Sequence, residues 1–221
     1  MISILNILVK MKKKGEIPET KEIKVILLGD SIVGKTSMLM RYMKKDISEF
    51  HVATIGVERY SKVMKIKNSK DKVKLTIIDT SGQERYMSIT KNYYKQANGV
   101  ILIYDITNKE TFKNLEFWIN EIENNAIENI PIFLVGNKKD LEQNREVQSE
   151  EGKRFAEAHK CIFFETSIKE DKEIKLLFIK ILENICNVKK VFKYNIIEEE
   201  DMKSYKLSRK LTQKRAKKGC C

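Results

Sequence analysis

Gly29-Asp30-Ser31-Ile32-Val33-Gly34-Lys35-Thr36 is the stretch from which the fold is read. Its spacing, G-x-x-x-x-G-K-T, lets consecutive backbone N–H groups curl around a phosphate at a helix N-terminus. Lys35 then reaches the β- and γ-phosphates, and the Thr36 hydroxyl is placed for Mg²⁺. The flanks agree. Ile23 to Leu28 is an apolar, β-rich run that reads as a buried strand, and Thr36 to Lys45 is helix-forming. Strand, loop, helix is the context this motif requires.

Working outward, Val57 to Lys67 and Val73 to Asp79 have strand character, with a polar turn at Asn68 to Asp71 between them. Strands and helices then alternate. Gly99 to Asp105, Pro131 to Gly136 and Cys161 to Glu165 read as strands. Lys109 to Asn125, Gln148 to His159 and Ile174 to Cys186 read as helices. In the first of these helices Phe112, Leu115, Ile119 and Ile122 recur at helical spacing. Apolar strands without alternation suit a sheet covered on both faces. The expectation is a doubly wound α/β fold, a mostly parallel six-stranded sheet flanked by helices, with ligands at the carboxyl ends of the strands.

The 221 residues fit one domain with tails, and the net charge of +12 is unevenly spread. Residues 22–187 hold 27 basic against 25 acidic side chains; residues 188–221 hold 11 against 4. The folded part, 22–187, is therefore nearly neutral, and 188–221 reads as a basic arm for a charged partner. Residues 1–21 form an N-terminal extension. Its apolar start, Met1 to Val9, is too short to span a bilayer. Its lysines follow that run, the reverse of a secretory signal, and Met11 is an alternative start. Cys161 and Cys186 lie in apolar runs and read as buried thiols in a cytosolic chain, with no disulfide or zinc spacing.

The next motifs choose the base. Asn137-Lys138-Lys139-Asp140 follows the fifth strand directly, on the ligand side. A carboxylate such as that of Asp140 accepts two hydrogen bonds, matching the N1–H and N2–H₂ of guanine. Adenine lacks that donor pair, so a site holding this carboxylate rejects ATP. Asp79-Thr80-Ser81-Gly82-Gln83-Glu84 closes the third strand. There Asp79 suits Mg²⁺ through water, Gly82 lets a backbone N–H approach a γ-phosphate, and Gln83 can orient an attacking water. Thr54 is placed to give a second hydroxyl to Mg²⁺ when the γ-phosphate is present.

Together these residues resemble the Ras-like small GTPases and, within them, the Rab family. Ile55-Gly56-Val57, Asp79 to Tyr86, Tyr93-Tyr94, Leu102 to Thr107, Glu165-Thr166-Ser167-Ile168-Lys169 and the final Cys220-Cys221 carry the likeness. The resemblance implies a GTP/GDP switch in vesicle and membrane traffic, slow to hydrolyse GTP without an activating protein. It places the nucleotide along Asp30, Ser31, Ile32, Val33, Gly34, Lys35, Thr36 and Ser37. Asn137 and Asp140 would hold guanine, Lys138 and Lys169 pack along it, and the Ser167–Ile168 backbone support it. Gln83 and Lys35 would be catalytic, and Thr36, Thr54 and Asp79 the Mg²⁺ group. Implied partners are an exchange factor, a GTPase-activating protein, a GDP-dissociation inhibitor, a prenylation escort protein and effectors. The implied place is the cytoplasmic face of an endomembrane, with a cytosolic pool.

Cys220 and Cys221 look like a double-geranylgeranylation site, and Lys203 to Lys218 holds eight basic residues and no acid. Two chains, or one chain with a polybasic patch, anchor stably to anionic lipid. RNA binding by this arm is disfavoured, because no aromatic-interleaved platform accompanies it. An ATP-using kinase is disfavoured by Asp140. A nucleotide-responsive tether with negligible hydrolysis is the alternative. It draws on departures from the family pattern: Ser31 and Ile32 where small residues are usual, Ile168 for Ala, and Ile47 for an aromatic on guanine. These predict weak nucleotide retention. Arg59 and Ile78 also stand where two members of a surface aromatic triad are usual, leaving Tyr93.

Overall fold

The computed structural model describes residues 20–44, 54, 56–66, 72–82, 87–188 and 196–197. The chain forms two compact units: residues 23–62 with 75–193, and residues 1–22 with 63–74 and 194–221. The strands are β1 (Thr20–Leu28), β2 (Val57–Ile66), β3 (Lys72–Thr80), β4 (Gly99–Asp105), β5 (Ile132–Asn137) and β6 (Ile162–Glu165), in the order β6-β5-β4-β1-β3-β2. β1 pairs parallel with β4, β4 with β5, and β5 with β6. β4 reads GVILIYD and is buried at every position, as a strand covered on both faces must be. β1 lies between β3 and β4, so the strand order reverses beside it. The loop that follows β1 is therefore at the topological switch point, where such sheets bind ligands.

Six α-helices are described: α1 (Lys35–Tyr42), α2 (Met87–Tyr94), α3 (Lys109–Lys113), α4 (Leu115–Asn125), α5 (Ser149–Ala158) and α6 (Asp171–Val188). In α4, Leu115, Trp118, Ile119 and Ile122 are buried, a stripe at i, i+3, i+4 and i+7. They join Ile26, Leu28, Leu102 and Tyr104 from the sheet in one core. The start of α5 is fixed by a capping box between Gln148 and Glu151. Tyr42 of α1 stacks on Phe178 of α6 with ring centroids 3.9 Å apart, both fully buried.

Three features differ from the sequence reading. The helix expected over 109–125 is two helices, broken at Asn114. Met87–Tyr94 is helical, where the sequence reading placed no element. The sheet has a seventh strand beyond the expected six, β7 (Ile196–Ile197), within the stretch read as a basic arm. In the smaller unit β7 pairs antiparallel with the end of β2, Lys65 facing Ile197 and Ile66 facing Ile196. Lys74 of that unit pairs with Glu22 at 3.0 Å. Cys186 is buried as expected, while Cys161 is only half-buried. Its thiol is pushed up to about 12 by burial and is inert at neutral pH.

The Tyr42–Phe178 stack joins the helix after the phosphate loop to the last long helix. Phe178→Ala is expected to destabilise the protein by about 3–5 kcal/mol, the range for deleting a buried aromatic ring. Denaturant unfolding of the GDP-loaded protein measures this, and Phe178→Leu should lose clearly less.

Candidate functional site

The loop between β1 and α1 is held from within. Lys35, only 5% exposed, donates through Nζ to the carbonyls of Gly29 at 2.8 Å and Asp30 at 2.6 Å. An ammonium has three N–H donors, so one is left for a phosphate oxygen. Burial lowers its pKa to about 8, with the charges of Asp79 and Asp30 opposing the shift. Gly34 caps α1 at φ 98, and a Cβ there would come within 2.4 Å of Asn137 Nδ2. Only glycine fits that turn. The first turn of α1 holds no acidic side chain of its own, which leaves its positive helix end to a phosphate. Ile32 has φ 66 and is 78% exposed. A β-branched residue is strained there, as its branching foreshadows.

Behind the loop lies a compact oxygen cluster. Thr36 Oγ1 donates to Asp79 Oδ2 at 2.7 Å and is 2.8 Å from Thr54 Oγ1. Asp79 is fully buried, and burial pushes its carboxyl up to about 6 despite the hydrogen bond from Thr36 and the charge of Lys35. Among the described residues its Oδ1 has no hydrogen-bond partner. Two hydroxyls and a buried carboxylate with an unused oxygen are a hard donor set, and they fit Mg²⁺, which keeps several waters and uses few protein ligands. The loop after β3 closes over this cluster. Ser81 N donates to Gly56 O at 3.0 Å, two residues from Thr54. A Cβ on Gly82 would come within 2.4 Å of the Asp30 carbonyl carbon and Ser31 N, so this loop lies directly on the phosphate loop.

The far end of the cleft is built by β5 and β6. Asn137 Nδ2 donates to Val33 O at 2.9 Å, fastening the base-reading strand end to the phosphate loop. Thr166 N donates to Gly136 O and Lys139 N to Thr166 O, lacing the two base loops together. Asp140 accepts from Ser167 Oγ at 2.7 Å on one oxygen and pairs with Lys169 Nζ at 2.8 Å on the other. Burial alone would raise this carboxyl, but Lys169 and Ser167 hold it below the usual carboxylate range. Lys169 is largely exposed and is readily displaced by a ligand. Lys138, at φ 66, pairs with Asp105 of β4 at 2.5 Å.

The result is one cleft of about 620 Å³ lined by both loops, Thr54, Gly82, Lys138, Asp140, Ile168 and Lys169. Ser37 also lines it, while Val33 is buried in the core beneath the loop. Gln83, Ile47, Cys220 and Cys221 lie outside the described residues.

The sequence reading missed two supports. Asp30 accepts from Asn114 Nδ2 and Trp118 Nε1, each at 2.7 Å. Arg145, almost fully buried, bridges Glu142 and Glu165, each at 2.7 Å. The two carboxylates hold the guanidinium protonated and tie the segment after Asp140 to the strand that ends at Glu165. The available signal for Asn114 was a helix-capping residue inside a stretch read as continuous helix.

The profile of the Ras family matches residues 24–187. The chain is 44% identical over 155 residues to the Ras-related protein Rab-11B of Dictyostelium discoideum, covering 70% of each. It is 40% identical over 197 residues to Rab-3 of Caenorhabditis elegans, covering 89% of each. With Rab11C of Nicotiana tabacum the identity is 42% over 178 residues, 80% of this chain and 78% of that one.

The strain at Ile32 is directly measurable. Ile32→Gly removes a side chain that is 78% exposed and therefore loses little packing. It is expected to stabilise the protein by about 0.5–1 kcal/mol, the left-handed penalty less the chain entropy that glycine restores to the unfolded state. Slower release of bound nucleotide should accompany the higher melting temperature.

Proposed function

The chain belongs to the Ras family and, within it, to the Rab small GTPases, and from that premise we propose a membrane-anchored switch that recruits effectors while it holds GTP. One observation carries the reading. A single cleft brings together a buried lysine on the phosphate loop, a hydroxyl–carboxylate cluster fit for Mg²⁺, and the Asp140 carboxylate facing its far end.

Roles follow from the geometry. Backbone N–H groups of 31–36 and the remaining donor of Lys35 take the phosphates. Thr36, Thr54 and Asp79 would hold Mg²⁺, which would supply neutralisation of phosphate charge. Asn137 holds the base loop against Val33, and Asp140 reads the guanine edge. Thr54 reaches the cluster from the segment before β2 and Gly82 from the loop after β3. Loss of the γ-phosphate frees both, which is how such a site reports hydrolysis to a partner. Gln83 follows Gly82 in sequence, and we assign it the orientation of the attacking water.

Membrane attachment is assigned to prenyl groups on Cys220 and Cys221, supported by the basic run Lys203 to Lys218. The compartment is an endomembrane or vesicle of the secretory or endocytic system. The regulators proposed are an exchange factor, an activating protein, a GDP-dissociation inhibitor and a prenylation escort. Effector choice should differ from that of most relatives. Ile78 is buried, and the Arg59 guanidinium lies 4.9 Å from the Tyr93 ring centroid, a cation–π pair in place of an aromatic cluster.

The strained Ile32 favours a second reading, a nucleotide-responsive tether with negligible hydrolysis. Single-turnover GTP hydrolysis separates the two. The switch predicts a slow rate that falls about tenfold or more in Gln83→Leu with GDP binding unchanged. A wild-type rate no faster than that of the variant supports the tether. Replacing Cys220 and Cys221 together by Ser should move a tagged protein, its C-terminus left free, from membranes to cytosol in cell fractionation.

A further inference from the structure

Asp30, the second residue of the phosphate loop, is fastened by more of the fold than its neighbours. Its carbonyl accepts from Lys35 Nζ at 2.6 Å. Its carboxylate accepts from Asn114 Nδ2 on Oδ2 and from Trp118 Nε1 on Oδ1, each at 2.7 Å. Bonds to a carboxylate at this length are charge-assisted and stronger than neutral ones. Both donors belong to one junction. Asn114 is the residue at which α3 ends and α4 begins, and Trp118 lies one turn further on, locked in the core. Asn114 keeps helical backbone angles and its carbonyl accepts from Trp118 N, so the i, i+4 spacing sets an amide and an indole side by side against one carboxylate. The loop needs an external hold, because Ile32 two residues later is strained at φ 66 and relaxes if released.

We propose that Asn114 and Trp118 are positioning residues that act through Asp30 to keep the phosphate loop in its cradling conformation, and so set the rate at which a nucleotide carrying a β-phosphate is released. The inference rests on the nucleotide-binding reading above. The base end of the cleft has holds of its own, Ser167 on Asp140 and Arg145 on Glu165, with Asn137 its link to the phosphate loop at Val33. Loss of the Asp30 bonds should therefore weaken phosphate contacts and leave base contacts intact.

The test uses the full chain at fixed Mg²⁺, with fluorescently labelled GDP, GTP and GMP as probes. Asn114 is exposed, so Asn114→Ala tests the bond without opening the core; Trp118→Phe keeps the ring packing and removes the N–H donor. Each is expected to release GDP and GTP about tenfold faster. Affinity for GMP, which has no β-phosphate, should stay at the wild-type value, a split that general loosening of the fold would not produce. Asp30→Ala combined with Asn114→Ala should release GDP no faster than Asp30→Ala alone, because both remove the same bond. Wild-type release rates in the variants, additive effects in the double variant, or a parallel loss of GMP affinity would overturn the proposal. A wild-type chain that binds no GDP overturns the nucleotide reading with it; one that binds GDP while the variants behave like it overturns this inference alone.

Discussion

Burying an ammonium and a carboxylate at the end of a hydrophobic sheet is the constraint on which the rest of the structure turns. Lys35 and Asp79 are almost fully enclosed, and burial acts against the charged form of both. Such groups persist only where geometry returns what desolvation removes. Here the return comes from the Gly29 and Asp30 carbonyls on one side and the Thr36 hydroxyl on the other. Those contacts require the loop after β1 to curl tightly, the end of β3 to lie beside it, and β1 to stand where the strand order reverses. The fold is thus specified around a pair of charges that an anion and a divalent cation would complete.

The same logic runs along the cleft to its other end. Parallel pairing aligns Asp105 with Asn137, and Gly136 with Glu165, so the loops that follow all leave from one edge. Side chains then link loop to loop across that edge. Asn137 reaches Val33, Lys138 reaches Asp105, and Ser167 reaches Asp140. Each link is a hydrogen bond or ion pair between segments that are distant in sequence. The cleft keeps its outline because the loops brace one another.

Local chemistry made much of this legible beforehand. The phosphate loop, the Asn137 to Asp140 run and the end of β3 are short stretches whose residue types and spacing already carry their geometry. Ile32 could be flagged because a branched Cβ conflicts with a turn, whatever surrounds it. What stayed hidden depends on partners far along the chain. Asn114 interrupts a helix whose apolar spacing runs through it. Met87 to Tyr94 carries a weak periodic signal and is helical because Tyr94 finds the core. Ile196 and Ile197 form a strand only by finding the end of β2. Arg145 sits on a loop with no motif, and its role exists only once Glu142 and Glu165 converge on it.

The chain contains one tryptophan, and its indole N–H ends on the phosphate loop. Indole emission responds to the hydrogen bond its nitrogen donates and to the charge beside the ring. The protein therefore carries a native chromophore wired to the segment that grips its ligand, with no second tryptophan to blur the signal. Its ultraviolet fluorescence is a built-in optical gauge of the loop, readable in the unlabelled chain and in real time.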